Sequence, residues 1–399
     1  MSSLDGAHVV LGVTGGIAAY KAIEVSRRLV DAGAHVAPIM TEGAQHFVGR
    51  TTFDALASEK VQTSLWDEAS PIPHTTLGQT TDLIVVAPAT ARLLADYRIG
   101  RSDDLLTATL IATRAPVLIA PAMHTEMWEH PAVQENLDVL RERGVNIVDP
   151  EPGRLAGGDV GFGRLAAPAT IVAHCERVLS SGELSGAHVV ITAGGTAEAI
   201  DPVRVISNRS TGKQGYALAE AAWARGADVT LISTVDREPP VGVRVVSVES
   251  AAQMHEAVMN VADADVIVMA AAVADFRPAD PATQKIKKSD GDVASIALEK
   301  THDFLVDLGK NKPGGQVLVG FAAETENLLE NARGKLERKN LDFIVANDVS
   351  APGAGFAHDT NKVTLVFGGG EEIDVPIGSK RVVAEAIFDA VVRVRGTHP

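Results

Sequence analysis

The segment Leu4-Asp5-Gly6-Ala7-His8-Val9-Val10 returns as Leu184-Ser185-Gly186-Ala187-His188-Val189-Val190, identical at six of seven positions. In each copy a β-branched run, His8 to Val13 or His188 to Thr192, meets a double glycine, Gly15-Gly16 or Gly194-Gly195, and then a helical segment. Strand, tight turn and helix in that order open an α/β unit, so the chain begins such a unit twice. At 399 residues it also exceeds what one hydrophobic core usually serves. The small polar stretch Ser180-Ser181-Gly182-Glu183 is the expected linker, dividing the chain into domains 1–181 and 182–399.

Working outward, short apolar runs at Val36–Met40, Leu83–Ala87, Val117–Ala120, Val229–Ser233, Val266–Ala270, Val317–Phe321 and Phe343–Ala346 read as buried strands, with helical segments between most of them. Unbroken apolar strands alternating with helices imply parallel sheets covered on both faces, so both halves read as doubly wound α/β. Such sheets bind ligands beyond the carboxyl ends of their strands, which directs attention to the residues just after each run.

Composition narrows the function classes. A formal charge of −15 disfavours general nucleic-acid binding. The single cysteine, Cys175, excludes an intramolecular disulfide and a thiolate cluster and suits a reducing compartment, so a cytoplasmic location is expected. No apolar run approaches the roughly 20 residues that span a bilayer, so no membrane partner is expected.

In the first half, Gly12 to Lys21 gives a glycine turn opening a helix, whose free N–H groups suit a phosphate. The spacing is not G-x-G-x-x-G, and the second strand ends in Pro38-Ile39-Met40-Thr41 without an acidic residue for a ribose diol. A mononucleotide fits better than a dinucleotide. Ala87-Pro88-Ala89-Thr90 and Pro121-Ala122-Met123-His124 follow the third and fourth strands, and Pro73-His74 stands in an expected loop before the third. Together with Asp103 and Asp104, these segments resemble the homo-oligomeric flavin-containing cysteine decarboxylases over nearly all of residues 1 to 175.

The resemblance implies a flavodoxin-like domain holding FMN, its phosphate near Gly15, Gly16 and Thr41 and its rings near Ala87 to Thr90 and Asp103-Asp104. It implies His74 as catalytic base, His124 as a second catalytic residue at the substrate carboxylate, and Met123 at the substrate. A flavin suits such chemistry because CO2 loss leaves a carbanion that an aliphatic cysteine amide cannot delocalise, whereas prior oxidation of the thiol lets sulfur take the charge. Two positions depart from the family pattern: His124 replaces a common asparagine, and Gly157 of Ala156-Gly157-Gly158-Asp159 stands where a flap cysteine usually donates the final proton. Cys175 lies in a helix-like run and is expected only to pack.

In the second half, eleven of the thirteen lysines follow residue 181. Lys285-Ile286-Lys287-Lys288 form one cluster, and Lys335 and Lys339 share a helical face at i and i+4. Confined lysines in an acidic protein suit a polyphosphate, yet no G-x-x-x-x-G-K-[ST] motif is present. Asp201-Pro202-Val203-Arg204, Ser207-Asn208-Arg209-Ser210-Thr211-Gly212-Lys213, Ala271-Ala272-Val273-Ala274-Asp275 and Phe321-Ala322-Ala323-Glu324-Thr325 resemble the phosphopantothenoylcysteine synthetase domain of a bacterial fusion protein.

That resemblance covers about residues 184 to 390. It implies a CTP-binding domain with Ala272, Asp275, Lys285, Thr301, Asp303, Phe321, Lys335 and Lys339 at the nucleotide, Mg2+ on the triphosphate, Asn208 and Lys285 catalytic, and Arg204 and Asn208 at the substrate. The implied partners are 4'-phosphopantothenate, cysteine and CTP, and the implied assembly is a homo-oligomer, trimers and pairs closing a dodecamer. Thr301-His302-Asp303 replaces the family's Asn-Pro-Asp. Alternatives are a flavin prenyltransferase, a flavin-binding regulatory subunit with an inactive decarboxylase domain, and an NAD-dependent oxidoreductase.

Overall fold

The computed structural model describes residues 2–66, 71–287, 295–324, 328–348, 355 and 358–397. Lys288 and Thr325, both within the quoted motifs, lie outside the described residues. The chain divides into two compact units, Met1–Ser181 and Gly182–Pro399.

In the first unit β1 (His8–Val13), β2 (His35–Met40), β3 (Leu83–Ala89), β4 (Val117–Pro121) and β5 (Asn146–Ile147) form a parallel sheet in the order β2-β1-β3-β4-β5. Successive side chains point to opposite faces, so Val9, Leu11 and Val13 enter one core while Val10 joins Ile84 and Val86 in the other. Burial on both faces is why these strands read as unbroken apolar runs. The helix Ala19–Asp31 covers the first face with Ala19, Ala22, Val25, Ser26 and Leu29, the spacing of one helical stripe. It stops before Gly33, whose φ of +92° turns the chain into β2.

One local reading is corrected, and one element is added. Pro73 and His74 are not in a loop but in the first turn of the helix Pro73–Thr80, because proline's fixed φ and missing N–H suit that position. A hairpin of β6 (Glu151–Arg154) and β7 (Val160–Arg164) occupies the stretch around Gly157, where glycines and charges leave no apolar pattern to announce a strand.

The second unit contains β8 (His188–Ala193), β9 (Ala197–Ala199), β10 (Val205–Ser207), β11 (Asp228–Ser233), β12 (Val243–Ser247), β13 (Val266–Met269), β14 (Phe276–Pro278), β15 (Leu298–Lys300), β16 (Val317–Glu324), β17 (Phe343–Asp348), β18 (Thr360–Phe367) and β19 (Glu372–Ser379). Eight of them make a sheet ordered β12-β11-β8-β13-β16-β17-β18-β19, parallel as far as β17 and antiparallel beyond. The pairs β9 with β10 and β14 with β15 are short antiparallel ribbons.

The repeated heptad builds the same corner twice. Gly6 and Gly186 adopt φ of +76° and +77°, and the N–H groups of Ala7 and Ala187 donate back to Leu4 and Leu184 at 3.1 and 3.0 Å. The N–H of His8 donates to Asp82 and that of His188 to Asp265, each at 2.8 Å. Both leucines are buried, anchoring each corner to its own core. Strand order reverses beside β1 in the first sheet and beside β8 in the second, and a crevice opens at such switch points. Among the described residues, no helix is long and apolar enough to cross a membrane.

Candidate functional site

The first crevice is fixed by Thr14 at the tip of β1. Its buried hydroxyl donates to the Pro88 carbonyl at 2.7 Å and accepts from the Thr90 N–H at 3.2 Å, tying the tips of β1 and β3 together. Gly15 packs against Gly43 so closely that a Cβ would stand 2.7 Å from the Gly43 carbonyl carbon. Thr41 donates its N–H to Val13 at 3.1 Å, which brings the β2 tip alongside. Beyond these tips lies a cavity of about 800 Å³ lined by Gly15, Gly16, Thr90, Met123 and His124, with Lys21, Arg154 and Arg164 supplying positive charge. Burial lowers the Lys21 pKa, helped by the nearby Arg164.

Other expected residues lie elsewhere. Ala87, Pro88 and Ala89 are buried within β3, leaving Thr90 as that segment's face to the cavity. Asp104 caps the helix Leu105–Ala112, accepting from the Thr107 N–H at 2.8 Å, and Asp103 pairs with Arg101 at 2.6 Å. Neither lines the cavity.

His74 sits at the start of its helix, whose far end is held at the amino edge of the sheet through Thr81, which donates to His8 at 2.9 Å. His74 does not line the first cavity. Its Nδ1 is buried without a hydrogen-bond partner among the described residues. A buried imidazole nitrogen left open is costly unless a ligand completes it.

The hairpin β6–β7 forms the cavity's outer wall. Gly161 and Gly163 let β7 lie directly on Met123 to Thr125: a Cβ on Gly163 would meet the Met123 carbonyl oxygen at 2.1 Å, and one on Gly161 would meet the Thr125 hydroxyl at 2.3 Å. At the hairpin turn, Asp159 reaches His124, Oδ2 to Nε2, at 3.2 Å, while the other ring nitrogen bonds Glu126. Glu126 first, and Asp159 in addition, hold the His124 pKa above its ordinary value. Gly157 stands against this group, its notional Cβ 3.3 Å from His124 Nε2 and 3.2 Å from Asp159 Oδ2. Cys175 is buried in the helix Pro168–Leu179, where desolvation pushes its thiol pKa far up.

The second crevice lies between β8 and β13. The Ala272 N–H donates to Gly194 at 2.8 Å, and Asn208 donates its side-chain amide to the Ala272 carbonyl, also at 2.8 Å. The adjoining cavity, about 400 Å³, brings together Asn208, Ala272, Asp275, Thr301, Asp303, Phe321, Lys335 and Lys339. Lys335 lies on the helix Leu328–Arg338, and Lys339 falls just past its end, pairing with Asp303 at 2.8 Å.

Sequence reading missed two lysines lining this cavity. Lys213 opens the helix Lys213–Ala224 after Gly212, whose φ of +73° admits no side chain cheaply, and it pairs with Asp359 at 2.5 Å. The Gly212-Lys213 turn was a usable signal, since a helix amino end favours anions. Lys380 carried none; it is buried, donates to Gly355 at 3.2 Å, and has a pKa lowered by desolvation and by Lys213.

Lys285 and Arg204 do not line the cavity. Lys285 is exposed beside Ile286, and Arg204 donates to the Ile286 carbonyl at 3.1 Å. Asp201 organises both segments, accepting from the N–H groups of Val203, Arg204 and Ile286. Burial opposes its ionisation, but those N–H groups and the Arg204 guanidinium hold its pKa below the usual carboxylate value.

Against known proteins, residues 1–180 match the flavoprotein family, and residues 184–394 match the C-terminal domain family of the DNA/pantothenate metabolism flavoprotein. The chain is 49% identical over 401 residues, 96% of each chain, to the coenzyme A biosynthesis bifunctional protein CoaBC of Mycobacterium tuberculosis (strain ATCC 25618 / H37Rv). It is 49% identical over 396 residues, 97% of each chain, to that of Bacillus subtilis (strain 168). A crystal structure of the C-terminal domain of a CoaBC protein aligns with 42% identity and a TM-score of 0.46, covering 54% of this chain and 98% of that one.

Proposed function

Because the chain belongs to the family of coenzyme A biosynthesis bifunctional proteins CoaBC, joining a flavoprotein decarboxylase domain to a ligase domain, we propose that the cavity at β8 and β13 takes CTP with Mg2+ and the cavity at β1 and β3 takes FMN. The observation that carries the reading is the convergence of Lys213, Lys335, Lys339 and Lys380 with a helix amino end on one crevice of an acidic protein. Ammonium groups and free N–H groups are the donors a triphosphate requires.

In the ligase reaction the 4'-phosphopantothenate carboxylate attacks the α-phosphorus of CTP, pyrophosphate leaves, and the cysteine amine then displaces CMP from the acyl-cytidylate. The four lysines stabilise charge on the departing pyrophosphate, and Mg2+, when bound with the nucleotide, would further neutralise the triphosphate. Asn208, fixed by its bond to Ala272, orients the acyl group. Lys285 and Arg204 lie on the segments that Asp201 holds, so a Lys285 contact to the triphosphate requires movement of its segment over the cavity.

The first cavity fits FMN on two counts: the glycine contact at Gly15 that a Cβ would fill, and the positive side chains Lys21, Arg154 and Arg164. Bound FMN supplies the two-electron acceptor for the substrate thiol. His74 takes the thiol proton, a role that suits an imidazole with an open ring nitrogen. The Gly15-Gly16 turn that opens the helix Ala19–Asp31 receives the phosphate, with the Thr41 hydroxyl beside it, and Met123 with His124 bounds the substrate. Protonated His124, braced by Asp159 and Glu126, donates the final proton in place of the absent flap cysteine.

Incubation with phosphopantothenate, cysteine and CTP, following pyrophosphate, CMP and CO2 together, tests both halves. His74→Asn should abolish CO2 release while the protein stays yellow and still releases pyrophosphate. Lys335→Gln should lower kcat/KM for CTP by roughly 10- to 100-fold, the value of a charge-assisted hydrogen bond. Unchanged CO2 release in the first variant, or an unchanged CTP response in the second, would refute the corresponding assignment.

A further inference from the structure

One cluster of ligating side chains is left without a role by either reaction. His255 on the helix Ala251–Met259, His302 before the helix Phe304–Lys310, and Asp307 within that helix each present a ligand atom, all within 4.8 Å of one another. His302 Nε2 stands 2.5 Å from Asp307 Oδ2, and the His255 ring stacks on Phe304 with centroids 5.3 Å apart. The group is half open to solvent, so an ion has a path to it. We propose that His255, His302 and Asp307 bind a divalent transition-metal ion of the Zn2+ class at the rim of the nucleotide cavity.

The donor set decides the class. Two imidazoles and one carboxylate suit Zn2+, Co2+ or Ni2+, whereas Mg2+ prefers oxygen ligands and retains its water. Bonds of about 2.0–2.2 Å in a tetrahedron set ligand atoms roughly 3.3 Å apart, so the cluster needs only an ångström-scale adjustment, with a water in the fourth position. Asp307 and His302 already face one another, Oδ2 to Nε2. Metal would displace the hydrogen bond between His302 and Asp307. Lys310 nearby opposes the ion's charge, which lowers the affinity.

The location gives the ion something to act on. Thr301, His302, Asp303 and Phe304 line the nucleotide cavity, and the Thr301 hydroxyl donates to the Ala274 carbonyl. Tying His302 to helix Ala251–Met259 therefore fixes one side of the nucleotide site without occupying it.

The test uses the full-length chain, stripped with chelator and titrated with Zn2+ by calorimetry and with Co2+ by visible absorption, in excess Mg2+. One site per chain is expected, with Co2+ giving the intense bands of four- or five-coordination. His255→Gln and Asp307→Asn should each weaken that site by more than about tenfold, the least effect expected when even an outer partner of a metal ligand is lost. Two variants guard against misfolding in one, and a cooperative melt qualifies each. Absence of a stoichiometric site in the unaltered protein, or equal binding in a folded variant, overturns the proposal.

Discussion

Gly163→Ala probes the hairpin that walls the first cavity. Gly163 has φ of +131°, and a Cβ there would stand 2.1 Å from the Met123 carbonyl oxygen and 3.2 Å from its carbon. An ordinary contact needs roughly an ångström more, so β7 must lift or Met123 must move. Overpacking of this kind costs about 1–3 kcal/mol, and a residue forced into a sparse backbone region adds about 1–3 kcal/mol more. That total, about 2–6 kcal/mol, is far above the 3.0 Å hydrogen bond from Met123 to Gly163 that holds the strand, which is worth about 1 kcal/mol. The strand should therefore detach locally, displacing Met123 and His124. An ångström of misplacement can cost about 100-fold in rate, so CO2 release from phosphopantothenoylcysteine should fall by about that factor. Pyrophosphate release by the second unit should be unchanged. Gly49→Ala, whose Cβ would meet only Thr52 at 4.0 Å, serves as control. Decarboxylation at the unaltered rate in a folded Gly163→Ala protein would refute the idea that this packing positions His124.

The remaining predictions concern single side chains. Because Glu126, then Asp159, raises the His124 pKa, its protonated form persists above the ordinary histidine range and is lost as pH rises through that raised value. The alkaline limb of the decarboxylation pH profile should therefore move to lower pH in Glu126→Gln, and a limb that stays in place would remove His124 as proton donor. Cys175→Ser should keep decarboxylase turnover near the unaltered value, since the thiol is fully buried in the core, while burying a hydroxyl lowers stability by about 1–3 kcal/mol in a denaturant melt. Accumulation of the oxidised enethiol product by a folded Cys175→Ser protein would contradict that. Leu11→Ala, a fully buried side chain of β1, should cost about 2–5 kcal/mol in the same melt; a loss below that range would mean the core closes over the gap.

What the sequence alone determined was whatever is written in consecutive residues. The duplicated corner at Leu4 and Leu184, the apolar strands and the strand-tip segments are local, because a strand buried on both faces must be continuously apolar and a tight turn must carry glycine. Those features sufficed for two α/β domains, while Gly15, Thr90, Met123, Asn208 and Lys335 were nominated by the family resemblance of the motifs that hold them. Tertiary structure alone decided what depends on chain segments far apart. The β6–β7 hairpin is held by glycines that allow close approach to Met123, so its stabilising contact belongs to the partner and leaves no apolar period. Lys380 reaches the cavity of Lys335 only because the last two strands add antiparallel to the sheet, and Lys285 misses it because Asp201 binds its segment elsewhere. His255 meets Asp307 across 52 residues for the same reason: convergence is set by which elements pack together, and packing partners are chosen by the whole core rather than by neighbours in the chain.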